Sequence, residues 1–227
     1  MSRKRSSPSG YSITRWRIES NAVDRFPGVV AAQFHALTPA EVIAVVAAVA
    51  YLLLAIRQNI LCWFFALLST AIYIALFIDA RLYMESLLNV FYFGMALYGW
   101  YVWHSGSDRE SSLPVSRWRL PVHAAAIAAI ALVSLLSGFL LDRYSDAAYP
   151  YVDSLTTFSA IWATFLVARK VLENWWYWLV IDAVSVFLYW ARDLQLTSLL
   201  FVAYVALIPF GLIAWTRSYH NQRTACV

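Results

Sequence analysis

Five side chains recur at helical spacing in the otherwise apolar stretch Glu173–Ala191: Trp175, Trp178, Asp182, Ser185 and Tyr189. Separations of three and four residues put them on one stripe of an α-helix. A carboxylate set among apolar residues is costly in lipid, so it belongs against a bundle interior or a water-filled cavity. The aromatic rings beside it offer flat faces on which a planar or cationic ligand can stack. Asp182 lies seven residues past Trp175, roughly 10 Å along the axis at about 1.5 Å per residue, well below the headgroup edge. The stripe reads as one wall of a small-molecule site inside a membrane. The competing reading is a protonated Asp182 that hydrogen-bonds a neighbouring helix. Trp176 and Tyr177 point away from the stripe and fit an interfacial aromatic belt.

Composition dictates what must carry such a stripe. The 227 residues are 62% hydrophobic and only 13% charged, whereas soluble domains are about half apolar and about 25% charged. Apolar runs of about 20 residues exclude an outer-membrane barrel, whose strands alternate over about ten. An α-helical integral membrane protein is the class that fits. The formal charge of +4 is explained by cations in loops between spans, so no nucleic-acid partner is required. Cys62 falls within a span and Cys226 at the C-terminus, which argues against a disulfide. Phosphate-loop, HExxH and paired-carboxylate patterns are absent from the sequence, so neither an enzyme nor a cofactor is expected.

Seven hydrophobic segments follow a basic tail spanning 1–37. They cover about Glu41–Ile56, Ile60–Ile78, Leu82–Trp103, Leu120–Leu141, Ser154–Ala168, Trp175–Trp190 and Leu194–Thr216. Thr38-Pro39 is a start signal for the first. Asn59 and Trp63 align with Asn174 and Trp178. Ser86, Tyr92, Gly99 and Trp103 align with Ser198, Tyr204, Gly211 and Trp215 at an offset of 112. The expected change of offset falls between the second and third helices of each unit. The chain thus divides into a first three-helix repeat (38–103), a loop and linker helix (104–150), a second repeat (151–216) and a tail (217–227). One linker helix keeps the repeats parallel, a 3+1+3 transporter plan with its site near mid-membrane.

Other spans add candidates. The third presents Glu85, Asn89 and Tyr92 on one face, the seventh Thr197, Phe201 and Tyr204, and the second Asn59, Trp63, Thr70 and Tyr73. More hydrogen-bonding groups are expected from the first repeat than from the second. Gly99 and Gly211 fit close helix contacts. Arg57, Arg109, Arg117, Arg119, Arg169, Lys170, Arg217 and Arg223 collect at one end, against Arg81, Arg143 and Arg192 at the other. The positive-inside rule then puts the C-terminus in the cytoplasm and the N-terminus outside.

Glu173-Asn174-Trp175-x-x-Trp178-x-x-x-Asp182 resembles the signature of the PnuC family of nicotinamide riboside transporters. Ala183–Tyr189, Leu196–Leu200, Arg57-Gln58-Asn59, Cys62-Trp63 and Ala80–Tyr92 agree with it, over roughly Pro39–Thr216. The resemblance implies a seven-transmembrane-helix fold similar to SWEET sugar transporters, and a homotrimer in a bacterial inner membrane. It implies facilitated diffusion of nicotinamide riboside, trapped as a phosphate by a cytosolic kinase with no stable contact. By position, Trp178 would stack on the pyridinium ring, aided by Trp175 or Tyr189. Asn89 would bond the carboxamide or ribose, and Asn174 and Asp182 would shape the polar end. Asn89 stands where relatives often have Gln, and Phe64 follows Trp63 where Pro is common. The first departure leaves thiamin, riboflavin or a deoxynucleoside open as cargo, and a non-transporting sensor or scaffold is the reading from another class.

Overall fold

The computed structural model describes residues 27–81, 83–105, 113–145 and 149–224. Most of the basic tail (1–26), the middle of the long internal loop (106–112), Asp146 and Cys226 lie outside the described residues. Among the described residues the chain forms eight helices. They are α1 (27–36), α2 (Pro39–Ile56), α3 (Leu61–Asp79), α4 (Tyr83–Ser105), α5 (Leu120–Tyr144), α6 (Pro150–Ala168), α7 (Asn174–Ala191) and α8 (Gln195–Thr224). Five of them, α2, α3, α5, α6 and α8, are long and apolar enough to cross a membrane. The apolar runs of α4 and α7 carry polar residues, Glu85 and Asn89 in the first and Asn174 and Asp182 in the second. The chain is a multi-pass helical membrane protein.

Local sequence accounts for the starts and turns. Thr38 and Glu41 form a capping box on α2: the Thr38 hydroxyl accepts from Glu41 N at 3.2 Å, and the Glu41 carboxylate accepts from Thr38 N at 2.6 Å. Pro150 opens α6 four residues before the expected start, its missing N–H costing nothing in a first turn. Helix α1 occupies the end of the segment expected as a tail. Its Gln33 reaches the α7–α8 turn, donating to Asp193 O and Gln195 Oε1 and accepting from Leu196 N, each at 2.8 Å.

The α2–α4 and α6–α8 triplets repeat the same contacts. The Trp63 indole lies on Gly99 and the Trp175 indole on Gly211, pairs whose members are each 112 residues apart. A Cβ on either glycine would stand 2.3 or 2.2 Å from the ring. Trp63 meets Trp103 edge-on at 5.4 Å, and Trp175 meets Trp215 edge-on at 5.6 Å. Ser86 Oγ donates to Ile74 O and Ser198 Oγ to Val186 O. The turns match too: Gln58 and Lys170 have φ of 54° and 49°, Arg81 and Asp193 of 59° and 58°. Four non-glycine residues in the left-handed region, at equivalent places, follow from how tightly each triplet must turn.

One offset therefore runs through all three helices of each triplet, which corrects the register expected from sequence. Trp63 corresponds to Trp175, not to Trp178. Sequence matching was drawn to the Asn-x-x-x-Trp spacing, whereas the partner glycine decides which indole packs. The two triplets are also tied crosswise. Trp103 Nε1 donates to Ala168 O and Trp215 Nε1 to Ala55 O, both at 3.0 Å and both buried. Helix α5 packs chiefly on α6 and exposes Leu132, Leu135, Leu136 and Phe139, an apolar surface suited to lipid.

Candidate functional site

A cavity of about 420 Å³ lies between the triplets, within the size range of small-molecule sites. Helix α7 supplies most of its chemistry: Asn174, Trp175, Trp178, Asp182, Ser185 and Tyr189 all line it. This is the stripe read from spacing, joined by Asn174 at the helix start. The first triplet adds Trp63, Ser69, Thr70 and Tyr92, and α8 adds Phe201 and Tyr204.

Asp182 is 4% exposed and is the only charged residue among the described residues that line the cavity. No hydrogen bond or ion pair holds its carboxylate among the described residues. A bare carboxylate there is costly, and a ligand that brings a positive charge or donor offsets that cost. At one end the cavity closes on indoles. Trp63 and Trp175 form the floor, buttressed by Trp103 and Trp215, whose rings are 6.5 Å apart. The indole N–H of Trp63, that of Trp175 and the side-chain oxygen of Asn174 are buried without partners among the described residues. Toward the other end Tyr189 stacks on Phe201 at 5.1 Å, and Phe201 meets Tyr204 edge-on.

Of the ten residues singled out from sequence, the cavity brings together eight: Trp178, Asp182, Trp175, Asn174, Tyr189, Tyr92, Trp63 and Tyr204. Asn59 and Asn89 are not on its wall. The Asn59 side-chain oxygen accepts from Leu61 N at 2.9 Å, tying down the start of α3. The Asn89 amide donates to Glu85 O at 2.9 Å within α4. Each satisfies local backbone instead, as short polar side chains commonly do. Sequence reading missed Tyr51, Thr156, Thr157 and Thr164, which line the cavity from α2 and α6. The only signal was two adjacent threonines, Thr156 and Thr157, and a third about two turns further along α6. Thr156 and Thr164 donate to Val152 O and Ala160 O, leaving their lone pairs as acceptors. The second triplet thus brings more of the polar wall, contrary to the expectation from α4.

Beneath the floor, the α6–α7 turn is closed by segment 113–119. Ser116 exchanges backbone bonds with Lys170 and Leu172, and Glu173 accepts from Arg117 Nε at 2.9 Å and from Trp118 N at 3.3 Å. The Lys170 ammonium sits 4.4 Å from the centre of the Trp103 ring. Burial pushes this amine down to about 8.

Comparison with known proteins follows the same lines. The family described as nicotinamide mononucleotide transporter matches residues 38–217. The chain is similar to the nicotinamide riboside transporter PnuC of Escherichia coli K12, 26% identical over 208 residues, covering 80% of this chain and 87% of that one. It is also similar to the riboflavin/roseoflavin transporter RibM of Streptomyces davaonensis, 32% identical over 135 residues, covering 57% and 62%. The crystal structure of the vitamin B3 transporter PnuC shares its fold, with TM-score 0.65 and 21% identity over 90% of this chain and 92% of that one. A stripe of indoles and one carboxylate on α7, set in a helical membrane fold that matches along most of its length, identifies this chain as a member of the nicotinamide mononucleotide transporter family to which the PnuC proteins belong, and hence as a transporter and not an enzyme.

Proposed function

We propose that this protein carries nicotinamide riboside across a bacterial inner membrane by facilitated diffusion, and that a cytosolic kinase then phosphorylates the cargo and traps it. One observation carries the choice of cargo: the cavity's single charged group is the carboxylate of Asp182, facing aromatic rings. A pyridinium cation stacked on Trp178 and neutralised by Asp182 suits that wall, and a cation over an aromatic face gains about 0.5–2 kcal/mol. A mononucleotide would bring a phosphate to a site with no Lys, Arg or His among the described residues that line it, so the unphosphorylated riboside is favoured. Unpartnered Asn174 Oδ1 and the floor indoles offer an acceptor and donors to a carboxamide; Asn89, held by its own helix, is withdrawn from that role.

In this reading α2–α8 are seven spans in a SWEET-like 3+1+3 parallel repeat, supported by the equivalent contacts of the two triplets. Residues 38–103 and 151–216 are the functional halves and α5 links them. The assembly is a homotrimer. Arg57, Arg117, Arg119, Arg169 and Lys170 lie at the ends that face the cytoplasm, so the C-terminus is cytoplasmic and the N-terminus outside. The indole floor is then the inner closure.

Counterflow in proteoliposomes tests the proposal. Vesicles loaded with unlabelled nicotinamide riboside should accumulate labelled substrate without ATP or an ion gradient. Binding without exchange would leave a sensor or scaffold as the better reading. A second cargo, riboflavin, is favoured by the likeness to RibM. Competition against riboflavin, thiamin and deoxynucleosides separates these: the neutral isoalloxazine and nucleobases gain nothing from the Asp182 charge, and cationic thiamin lacks the carboxamide and ribose.

A further inference from the structure

A second cavity, of about 510 Å³, lies outside the translocation site, between α4, α5 and α6. Helices α4 and α5 both pack on α6 but not on each other, so the space between them stays open along its side. Phe91 and Met95 form one wall, Ala126 and Ala129 the other, and Phe158 and Phe165 the back. From Phe158 to Phe165 the trough runs about 10 Å at about 1.5 Å per residue, within the depth of the bilayer. Its small alanine side chains and rigid rings leave room for something slender and wholly apolar.

The basic end of this trough has a different character. The Tyr98 ring stacks on Phe165 at 6.3 Å, and Trp118 meets Trp162 and Phe165 at 5.9 and 6.1 Å. Arg169 is exposed and donates to the Tyr98 hydroxyl at 3.2 Å. Arg119, beside Trp118 at the start of α5, is exposed as well. Neither arginine has a carboxylate partner among the described residues, whereas Arg117 is committed to Glu173. An apolar trough thus ends in two aromatic rings of the interfacial kind and two unneutralised guanidinium groups.

We infer that this crevice is a binding site for an anionic phospholipid, with one acyl chain in the α4–α5–α6 trough and the headgroup phosphate between Arg119 and Arg169. Charge decides the class of lipid. Each cation near the surface attracts an anionic headgroup, and a zwitterionic headgroup brings an ammonium that the arginines repel. The lipid stands in for the missing α4–α5 contact and holds the linker helix against the triplet it joins.

Native mass spectrometry of the full chain, extracted in mild detergent from membranes of phosphatidylglycerol and phosphatidylethanolamine, tests this. Phosphatidylglycerol should stay bound to the wild type and phosphatidylethanolamine should not. Ala129→Trp, which fills the trough, should abolish the adduct. Arg119→Gln with Arg169→Gln, both at exposed positions that leave the fold intact, should reduce it roughly tenfold. Retention of both lipids alike, or an adduct indifferent to the arginine pair, overturns the inference. So does an Ala129→Trp protein that keeps its lipid but loses its oligomeric state, because a second copy of the chain would then be the occupant.

Discussion

At equivalent positions the two triplets agree where they pack and differ at the cavity positions that carry charge and stacking. The floor is duplicated: Trp63 on Gly99 beside Trp103 has its counterpart in Trp175 on Gly211 beside Trp215. The walls are not. Ala66 of the first triplet stands where the second has Trp178, Thr70 where it has Asp182, Leu52 where it has Thr164 and Cys62 where it has Asn174. Close packing tolerates little change of volume, so the indole–glycine contacts are held in both copies. Cavity-facing positions carry no such constraint, and there one copy has taken on the charge and the stacking ring. Polarity gathered on one side gives a ligand one preferred orientation in an otherwise two-fold frame.

Mirrored substitutions can break or sharpen that contrast. The largest effects are expected in the floor, and there they should be equal. Gly99→Ala and Gly211→Ala each force a Cβ into an indole and should destabilise by about 1–3 kcal/mol. Thermal unfolding in detergent would check this, and a cost confined to one of them would mean that the floor is not truly duplicated. In the walls the effects should be unequal. Asp182→Asn should weaken nicotinamide riboside binding by about 2 kcal/mol, as for loss of a charged hydrogen-bonding partner. Thr70→Val, whose hydroxyl already donates to Ala66 O at 2.7 Å, should cost about 0.5–1 kcal/mol. Titration calorimetry on purified protein measures both, and equal losses would remove the asymmetry.

The stacking ring should come next. Trp178→Ala is expected to weaken binding at least tenfold, about 1.4 kcal/mol, with the fold kept. Unchanged affinity would take Trp178 out of the site. The smallest contrast lies in the turns, between Gln58 and Lys170. The folded Lys170 amine sits at about 8 because of its burial, below its unfolded value of about 10.4. Between those values the unfolded chain binds more protons, so stability contributed through this group rises with pH in that window and is flat below it. The melting temperature of the parent should therefore gain on that of Lys170→Met between pH 8 and 10. Parallel curves would show that stacking on Trp103 has already offset the burial. Gln58→Met should show no such window.

Much of this was legible in the chain itself. Helical spacing alone located Trp175, Trp178, Asp182, Ser185 and Tyr189 on one face, because a carboxylate in a long apolar run has few tolerable surroundings. Length and apolarity put most helices within about four residues of their observed bounds, and Thr38-Pro39 marked a true start, but α8 continues to Thr224 through the segment expected as a tail (217–227), and α1 was not expected. Two of the three asparagines were not legible. Asn59 and Asn89 have the right chemistry for a ligand, yet each has a backbone partner nearby, and spacing cannot say which partner wins. Nor could the threonines of α6 be chosen in advance, since a threonine facing lipid reads the same as one facing a cavity.

What the sequence determined by itself was the class of molecule and the charged stripe around Asp182, since the energetics of burying polar groups in lipid allow so few arrangements. What only the tertiary structure decided was the register of the two triplets and which polar groups remain unpartnered. Both depend on contacts between distant segments, Trp175 on Gly211 and Trp215 reaching Ala55, and packing at that distance in the chain leaves no local pattern to read.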